Sequence, residues 1–373
     1  MPNVGKSTLF NALTHSSIPA ENYPFCTIDP HLALTLVPDE RIDRLVALYQ
    51  SKKTLPAYVQ FVDIAGLVKG AASGEGLGNQ FLAHIREVDL IVHVIRCFTD
   101  ADIISTQNEL DPLADYEIIM TELMLKDIDS VDKRLIKCAQ LMKQAQKTPP
   151  LLRELQAEEQ LLTALKRALD ESTTTFGKSG AGAQMNAHIR QLVDESPVKT
   201  VPLLSSKKSL IVANIGEGDI AHKAYENNAY FQKLVSAFGA DRVIPVCARL
   251  EAELAQLEPA DAEEMARMMQ LEKRGTDAVI SATYKHLGLI TFFTCGPQEI
   301  HAWPIRQGMT IRKAAGEIHS DLERGFICAD VFNYTDLIEC GSESKLRTSG
   351  KLRTEGQDYV VRDGDIIHVK FNV

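Results

Sequence analysis

No run of the chain reaches the roughly 18 to 20 uncharged apolar residues of a membrane-spanning helix, although 45% of its residues are hydrophobic. The N-terminus lacks the basic, apolar and small-residue succession of a secretory signal. Cysteine is sparse and scattered: Cys26, Cys97, Cys138, Cys247, Cys295, Cys328 and Cys340 are odd in number and form no CxxC pair. That argues against a disulfide framework and a structural zinc site, and for reduced thiols in the cytoplasm. No GxSxG, no HExxH and no cluster of metal ligands is present, so a serine or metal hydrolase finds no support. Positive charge is also in short supply. A formal net charge of -10 is the wrong sign for a chain that coats nucleic acid through bulk electrostatics, so any RNA contact has to come from a local patch.

The 373 residues suffice for two or three domains, each with its own core. Before Ile118 the pattern is α/β, with apolar runs at Tyr58 to Asp63 and Leu90 to Ile95 that read as buried strands. From about Ile118 to Leu169 the chain is poor in glycine and carries apolar residues at helical spacing (Leu123, Leu125, Ile128, Val131, Leu135, then Leu151, Leu155, Leu161, Leu162, Leu165). This predicts a helical hairpin or short coiled coil, turned at Thr148-Pro149-Pro150, followed by a loop over Ser172 to Gly182. Strand patterns resume at Ser209 to Ala213 and Val243 to Val246, so the helices are inserted into the α/β domain. From about Leu289, short β-type runs (Ile290 to Phe293, Ile327 to Val331, Tyr359 to Val361, Ile366 to Phe371) alternate with turns around one helix, Ile311 to Ile318, which predicts a small α+β domain.

Asn3-Val4-Gly5-Lys6-Ser7-Thr8 is the second half of a Walker A loop entering an apolar-periodic helix. Backbone N–H groups at a helix start can surround phosphates, with Lys6 on the β/γ oxygens and the Ser7 hydroxyl on Mg²⁺. Downstream, Phe61-Val62-Asp63-Ile64-Ala65-Gly66 is a strand ending in DxxG, where Asp63 serves the metal and the Gly66 N–H the γ-phosphate. Between them Thr27 is the natural switch I threonine for Mg²⁺. The order of the three defines a P-loop nucleoside triphosphatase of the GTPase-like branch. Gly70, Gly74, Gly76 and Gly78 then read as switch II.

NYPFCTIDP, FVDIAGLVKGAASGEGLGNQFLAHIRE, ANIGEGD and the C-terminal EGQDYVVRDGDIIHVKFNV resemble the signature segments of the YchF / Obg-like ATPase family, over essentially the whole chain. The resemblance implies a Ras-like P-loop domain in two parts (1–125 and 199–288), an inserted coiled-coil arm (126–198) and a C-terminal TGS domain of β-grasp, ubiquitin-like fold (289–373). It implies ATP with Mg²⁺, Asn214 on the base edge, the Ile215 backbone near the adenine and Glu217 beside them. It also implies a ribosomal partner, through the large subunit, with RNA contacted by the TGS domain. There Lys351, Arg353, Arg362 and Lys370 supply positive charge, and Glu355, Asp358, Asp363 and Asp365 interleave with it.

The chain departs from the Ras-like or the family pattern in four places. Leu67 follows DIAG where Ras-like enzymes carry the water-orienting glutamine. The family's loop histidine after Arg96-Cys97-Phe98 falls at Ser105-Thr106, and Ser105 is a poor base at neutral pH, so slow intrinsic hydrolysis is expected. His84, on the helix after switch II, reads as a surface residue. Asn214-Ile215-Gly216-Glu217 lacks the lysine of NKxD, which weakens a GTP reading without removing it. An Obg-type GTPase and a nucleotide-gated binding module with negligible hydrolysis therefore remain as alternatives. Finally, Met1 stands at the family's leucine before Pro2-Asn3, so the first Walker glycine and the first strand are expected to be missing and a start codon misplaced. A chain extended upstream by about ten residues, the length of a strand and its turn, should then melt higher and bind ATP more tightly than the 373-residue form. Equal melting and binding would refute that expectation.

Overall fold

At Gly5 the backbone enters the left-handed region, with φ 89°, and α1 (Lys6–His15) starts at the next residue. The computed structural model describes residues 3–15, 31–64, 77–99, 110–175, 182–198, 200–271 and 273–372. After α1 come β1 (Leu32–Leu36), α2 (Arg41–Tyr49), β2 (Lys53–Leu55), β3 (Tyr58–Val62), α3 (Leu77–Glu87) and β4 (Leu90–Arg96). Three helices follow: α4 (Pro112–Gln144), α5 (Pro149–Thr175) and α6 (Gly182–Asp194). The chain continues through β5 (Lys208–Asn214), α7 (Glu217–Ile220), α8 (Ala229–Phe238), β6 (Val243–Val246), α9 (Ala248–Leu254), α10 (Pro259–Met268) and α11 (Gly275–His286). The C-terminal part holds β7 (Leu289–Cys295), β8 (Glu299–Arg306), α12 (Ile311–Ile318), α13 (Ser320–Arg324), β9 (Phe326–Asn333), α14 (Tyr334–Cys340), α15 (Glu343–Thr348), β10 (Arg353–Glu355) and β11 (Asp365–Phe371).

One compact unit comprises Met1–Ala12 and Asp63–Gly275. Its sheet is parallel, in the order β4-β5-β6. The unbroken apolar run Leu210 to Ala213 makes β5 a central strand, with all four residues inaccessible. Ile95, Ile211, Ala213, Phe231 and Leu234 join Tyr116, Met120 and Leu123 of α4 in one core. The arm therefore does not begin at residue 126: α4 is one helix, whose first turns belong to the α/β core and whose middle, from Met124 to Val131, packs on Leu162, Leu165 and Leu169 of α5. Pro149 and Pro150 do not make the turn as expected. They open α5, where their missing N–H groups cost no helix bond, and a 3₁₀ turn over Ala145–Lys147 closes the hairpin. Ser172 to Thr175, expected in a loop, are helical, with the Ser172 hydroxyl donating to the Ala168 carbonyl at 2.6 Å.

The other unit comprises Leu13–Val62 and Thr276–Val373. This differs from the expected partition, in which everything up to residue 125 belonged to the P-loop domain. The reason is physical: β2 adds in parallel to the outer edge of β8, completing a sheet of order β10-β9-β11-β7-β8-β2. Arg41 of α2 pairs with Asp363 at 2.7 Å and lies 5.0 Å from the Phe293 ring centroid. α12 covers the opposite face, with Ile311 and Ala314 packed against Phe292, Ala329, Val331 and Ile367. β8 escaped the sequence reading: Glu299, His301 and Arg306 leave it no continuous apolar run, and it contains Pro304; β2 pairs only with Glu299 to His301, so the proline sits on free edge, where it is tolerated. Tyr359 to Val361, expected as a strand, form only an isolated bridge between Val360 and Thr310. β1 and β3 pair antiparallel as a separate two-stranded sheet. Among the described residues no strand pairs with the other edge of β3, nor with the edge of β4 away from β5.

His93, in the middle of β4, is buried, its Nε2 has no partner, and its ring stands edge-on to Tyr116 at 5.0 Å. Burial, aided by the Arg242 charge, lowers its pKa to about 4. The unfolded chain takes up this proton first, near 6.5, so stability falls as pH drops through the interval between the two values. Denaturant melts of the wild type and His93→Leu should diverge by about 2 kcal/mol between pH 7 and 5, the variant losing less. Parallel pH dependence of the two would show that the imidazole stays uncharged for no energetic reason.

Candidate nucleotide site

The first compact unit gathers one group of side chains from four chain segments around the start of α1. Asn3, at φ 58°, and Gly5 bend the loop, and the Gly5 carbonyl accepts from the Leu9 N–H at 2.9 Å, so the helix is closed from its first turn. Val4 is buried, whereas Asn3, Ser7 and Thr8 are exposed. The loop backbone and the first-turn hydroxyls therefore face solvent while the Val4 side chain anchors them. Lys6 makes an ion pair with Asp63, the residue after β3. The lysine and carboxylate that the motif order assigned to one phosphate–metal centre thus meet across 57 residues.

Asn214 has a bracing role. It ends β5 and is buried, and both ends of its amide are taken: Nδ2 donates to the Val4 carbonyl at 2.9 Å and Oδ1 accepts from the Ala248 N–H at 3.0 Å. It ties the phosphate loop to the loop after β6. A Cβ at Gly5 would lie 2.2 Å from Asn214 Nδ2, so glycine is required here by contact as well as by φ. Neighbouring bonds extend the brace. The Cys97 N–H donates to the Asn214 carbonyl at 2.8 Å and the Ile215 N–H to the Val246 carbonyl at 2.8 Å. Asn228 Nδ2 reaches both the Cys97 carbonyl, at 3.0 Å, and Asp219, at 2.7 Å. Glu217, at the start of α7, is exposed and pairs with Arg249 at 3.1 Å.

Three contributors went unseen in the sequence. Ala248 acts through its N–H alone, which leaves no residue-type signal, and Asn228 is one asparagine in an unremarkable stretch. Glu251 is buried and holds the end of this unit, accepting the Gly275 N–H at 2.6 Å and pairing with Arg274 at 3.2 Å. Only its place after a strand-end loop hinted at it. His84 is exposed on α3, as expected. Thr27, Gly66, Leu67, Ser105, Thr106 and the first glycines of the switch II run lie outside the described residues. For a divalent cation, the Asp63 carboxylate and the Ser7 hydroxyl are hard oxygen donors of the kind Mg²⁺ takes.

A loop hinged on glycine, feeding a lysine that meets a strand-end aspartate, defines a P-loop nucleoside triphosphatase. Residues 1–137 match a family described as a 50S ribosome-binding GTPase, and residues 289–372 match one described as YchF-GTPase C-terminal, a protein of unknown function. The Bacillus subtilis protein named "Ribosome-binding ATPase YchF" is 42% identical over all of this chain and 98% of its own length. "Obg-like ATPase 1" of Oryza sativa subsp. japonica is 41% identical over all of this chain and 91% of its own. A solved structure titled "Structure of the Schizosaccharomyces pombe YchF GTPase" aligns at a TM-score of 0.81 and 34% identity, covering 99% of this chain and 96% of that one. The chain belongs to the YchF / Obg-like ATPase family.

Replacing Asn214 by Ala strands the buried Val4 carbonyl and Ala248 N–H, at about 1–3 kcal/mol for each unmade bond. Nucleotide affinity, measured by calorimetry on the folded variant, should fall at least about tenfold as the loop loses its brace, and Gly5→Ala should do the same by contact. Wild-type affinity in both variants would remove the brace from the site.

Proposed function

We propose that the chain is an ATP-hydrolysing, Mg²⁺-dependent switch that binds ribosomes. The meeting of Lys6 with Asp63 carries the reading, because separate pieces of a triphosphate centre have no other reason to converge at a glycine-hinged helix start. With nucleotide present, Lys6 would exchange Asp63 for the β and γ oxygens. Ser7, Asp63 and Thr27 would hold the metal, and the Gly66 N–H would meet the γ-phosphate. Bound Mg²⁺ supplies charge neutralisation at those oxygens. The chain's own part is to hold the phosphates in line and keep the loop rigid. Leu67 brings no amide to orient water, and Ser105 is a weak base, so intrinsic turnover is slow and acceleration falls to the partner.

Adenine is favoured over guanine. Guanine reading needs a carboxylate free to accept two N–H groups, and Glu217 is both longer than the aspartate of NKxD and paired with Arg249. GTP is the second reading, in keeping with the word GTPase in the names of one matched family and one solved relative. The ribosomal partner rests on the relatives named ribosome-binding, and its large subunit on the 50S in the matched family's description. The scattered thiols fit the cytoplasm, and among the described residues no helix is long and apolar enough to cross a membrane. RNA contact through the TGS domain has less behind it. Lys351 pairs with Asp336 and Glu339, Arg353 with Glu355, and Lys370 with Asp330, so little net positive charge is left there.

Steady-state turnover of ATP and GTP, with and without purified ribosomal particles, tests the reading. ATP should bind at least about tenfold more tightly than GTP, particles should raise the rate, and EDTA or Lys6→Ala should lower it at least about a hundredfold. Turnover indifferent to Lys6→Ala would end the proposal, and turnover absent under all conditions would leave a nucleotide-gated binding module.

A further inference from the structure

Charge on the helical hairpin is segregated along its length. Over residues 112–132 there are six acids and one base, and over 154–175 five acids and two bases. Between them, residues 133–153 hold six cations (Lys133, Arg134, Lys137, Lys143, Lys147, Arg153) and no acid, in a chain of net charge -10. Two of the six are paired, Lys133 with Asp129 at 2.8 Å and Arg134 with Glu158 at 2.7 Å. Lys137, Lys143, Lys147 and Arg153 are exposed and have no ion-pair partner among the described residues. The hairpin closes there: Cys138, Ala145 and Leu155 form its last small core, and the Cys138 thiol meets the Leu155 carbonyl at 3.2 Å. The four free cations thus share the last ~15 Å of the hairpin, by the rise of 1.5 Å per residue.

Helix electrostatics account for only part of this. Lys143 lies in the last turn of α4, where a cation suits the helix dipole. Arg153, by contrast, lies near the start of α5, whose first turn carries no acid, the reverse of the dipole preference. Lys137 lies well before the end of α4. The surplus therefore points to something outside the chain.

We infer that the hairpin tip is a phosphate-backbone contact for double-helical RNA, an inference that rests on the ribosomal reading above. Three of the four free cations are lysines, which protein–protein interfaces deplete and nucleic-acid interfaces use as phosphate contacts. Residues 133–153 contain no aromatic residue, so there is no platform for stacking unpaired bases. Recognition of a helix by its phosphates needs none. Ile136 and Leu151 are also exposed at the tip, but two aliphatic side chains supply no aromatic anchor for a protein partner.

The test uses the full chain with Lys137, Lys143, Lys147 and Arg153 all changed to Gln, a helix-compatible neutral residue, and a second variant with the three lysines changed to Arg. Binding to a 20-base-pair RNA duplex and to purified ribosomal particles is measured from about 50 to 200 mM salt. The wild type should bind the duplex and lose roughly a hundredfold in affinity over that range, as four phosphate contacts require. The Gln variant should bind more weakly, with a log–log salt slope flatter by about three, at unchanged ATP turnover without particles, and the Arg variant should match the wild type. Equal slopes for wild type and Gln variant would overturn the inference. So would a wild type that ignores the duplex, including one that instead binds an acidic peptide. Co-sedimentation of the wild type with particles reports separately on the ribosomal reading, which survives if the tip does not.

Discussion

The side-chain amide of Asn214 is the constraint on which the site depends. It spends its donor on the phosphate loop, through the Val4 carbonyl, and its acceptor on the loop after β6, through the Ala248 N–H. Both groups are backbone, so the geometry they fix does not vary with side-chain rotamers. Glycine at position 5 follows directly, since a methyl group there would occupy the space of the amide nitrogen. With the loop held from behind, Lys6 and the hydroxyls of Ser7 and Thr8 have one direction left to face. A flexible loop would have to be ordered by the nucleotide at a cost in affinity; a braced one already has its N–H groups oriented. The site is built by burying an amide bonded at both its nitrogen and its oxygen, and this is why its loss costs more than one hydrogen bond.

The legible part of this site was the part that carries chemistry. Lys6, Ser7 and Asp63 announce themselves by residue type and order, because phosphate and Mg²⁺ accept few alternatives. The bracing part is carried by backbone groups (Val4, Ala248, Cys97) and by an asparagine whose partners only the fold reveals. Asn214 was visible as a residue, but its bracing role was not: the Val4 carbonyl and the Ala248 N–H that it meets are backbone groups that only the fold brings to it. The fold shows the same division. Strands with apolar runs, such as β5 and β6, and the amphipathic α12 were readable to within a residue or so. β8, where polar and apolar residues mix around Pro304, was not, nor was the membership of residues 13–62. Which sheet edge β2 joins is a long-range pairing choice, and a strand of three residues carries almost no pattern of its own.

Charge pairing separates surfaces that composition alone would rank alike. The C-terminal domain and the hairpin tip both carry several lysines and arginines. In the former, Lys351, Arg353 and Lys370 each sit within ion-pair distance of a carboxylate, and exposed pairs of this kind contribute little to stability while removing local potential. At the tip the acids have been cleared away for 21 residues of sequence, from 133 to 153. Like charges so crowded repel one another, a standing cost that a merely structural hairpin has no reason to bear. A surface that accepts that repulsion gains from a polyanion, where each neutralised phosphate releases a counterion.

The hairpin is also joined to the nucleotide site by a stiff route. Asp127, on the same helix as Lys137, is buried and accepts three bonds from the segment leading into β5: the Leu204 and Ser205 N–H groups at 2.8 Å each and the Ser205 hydroxyl at 2.7 Å. Burial raises its carboxyl above the usual range, against the pull of those donors, so breaking the bonds would leave an unsolvated carboxylate. β5 then runs without interruption through its buried residues to Asn214. A force on the tip is thus delivered to a helix that cannot slide past β5 without giving up all three bonds at once. Rigid contact of this kind does not make a switch, which needs a second arrangement that both ends favour differently. It does fix where that arrangement must differ. With α4 pinned at Asp127 and the phosphate loop pinned at Asn214, any motion linking arm and nucleotide has to arise in segments that neither pin holds.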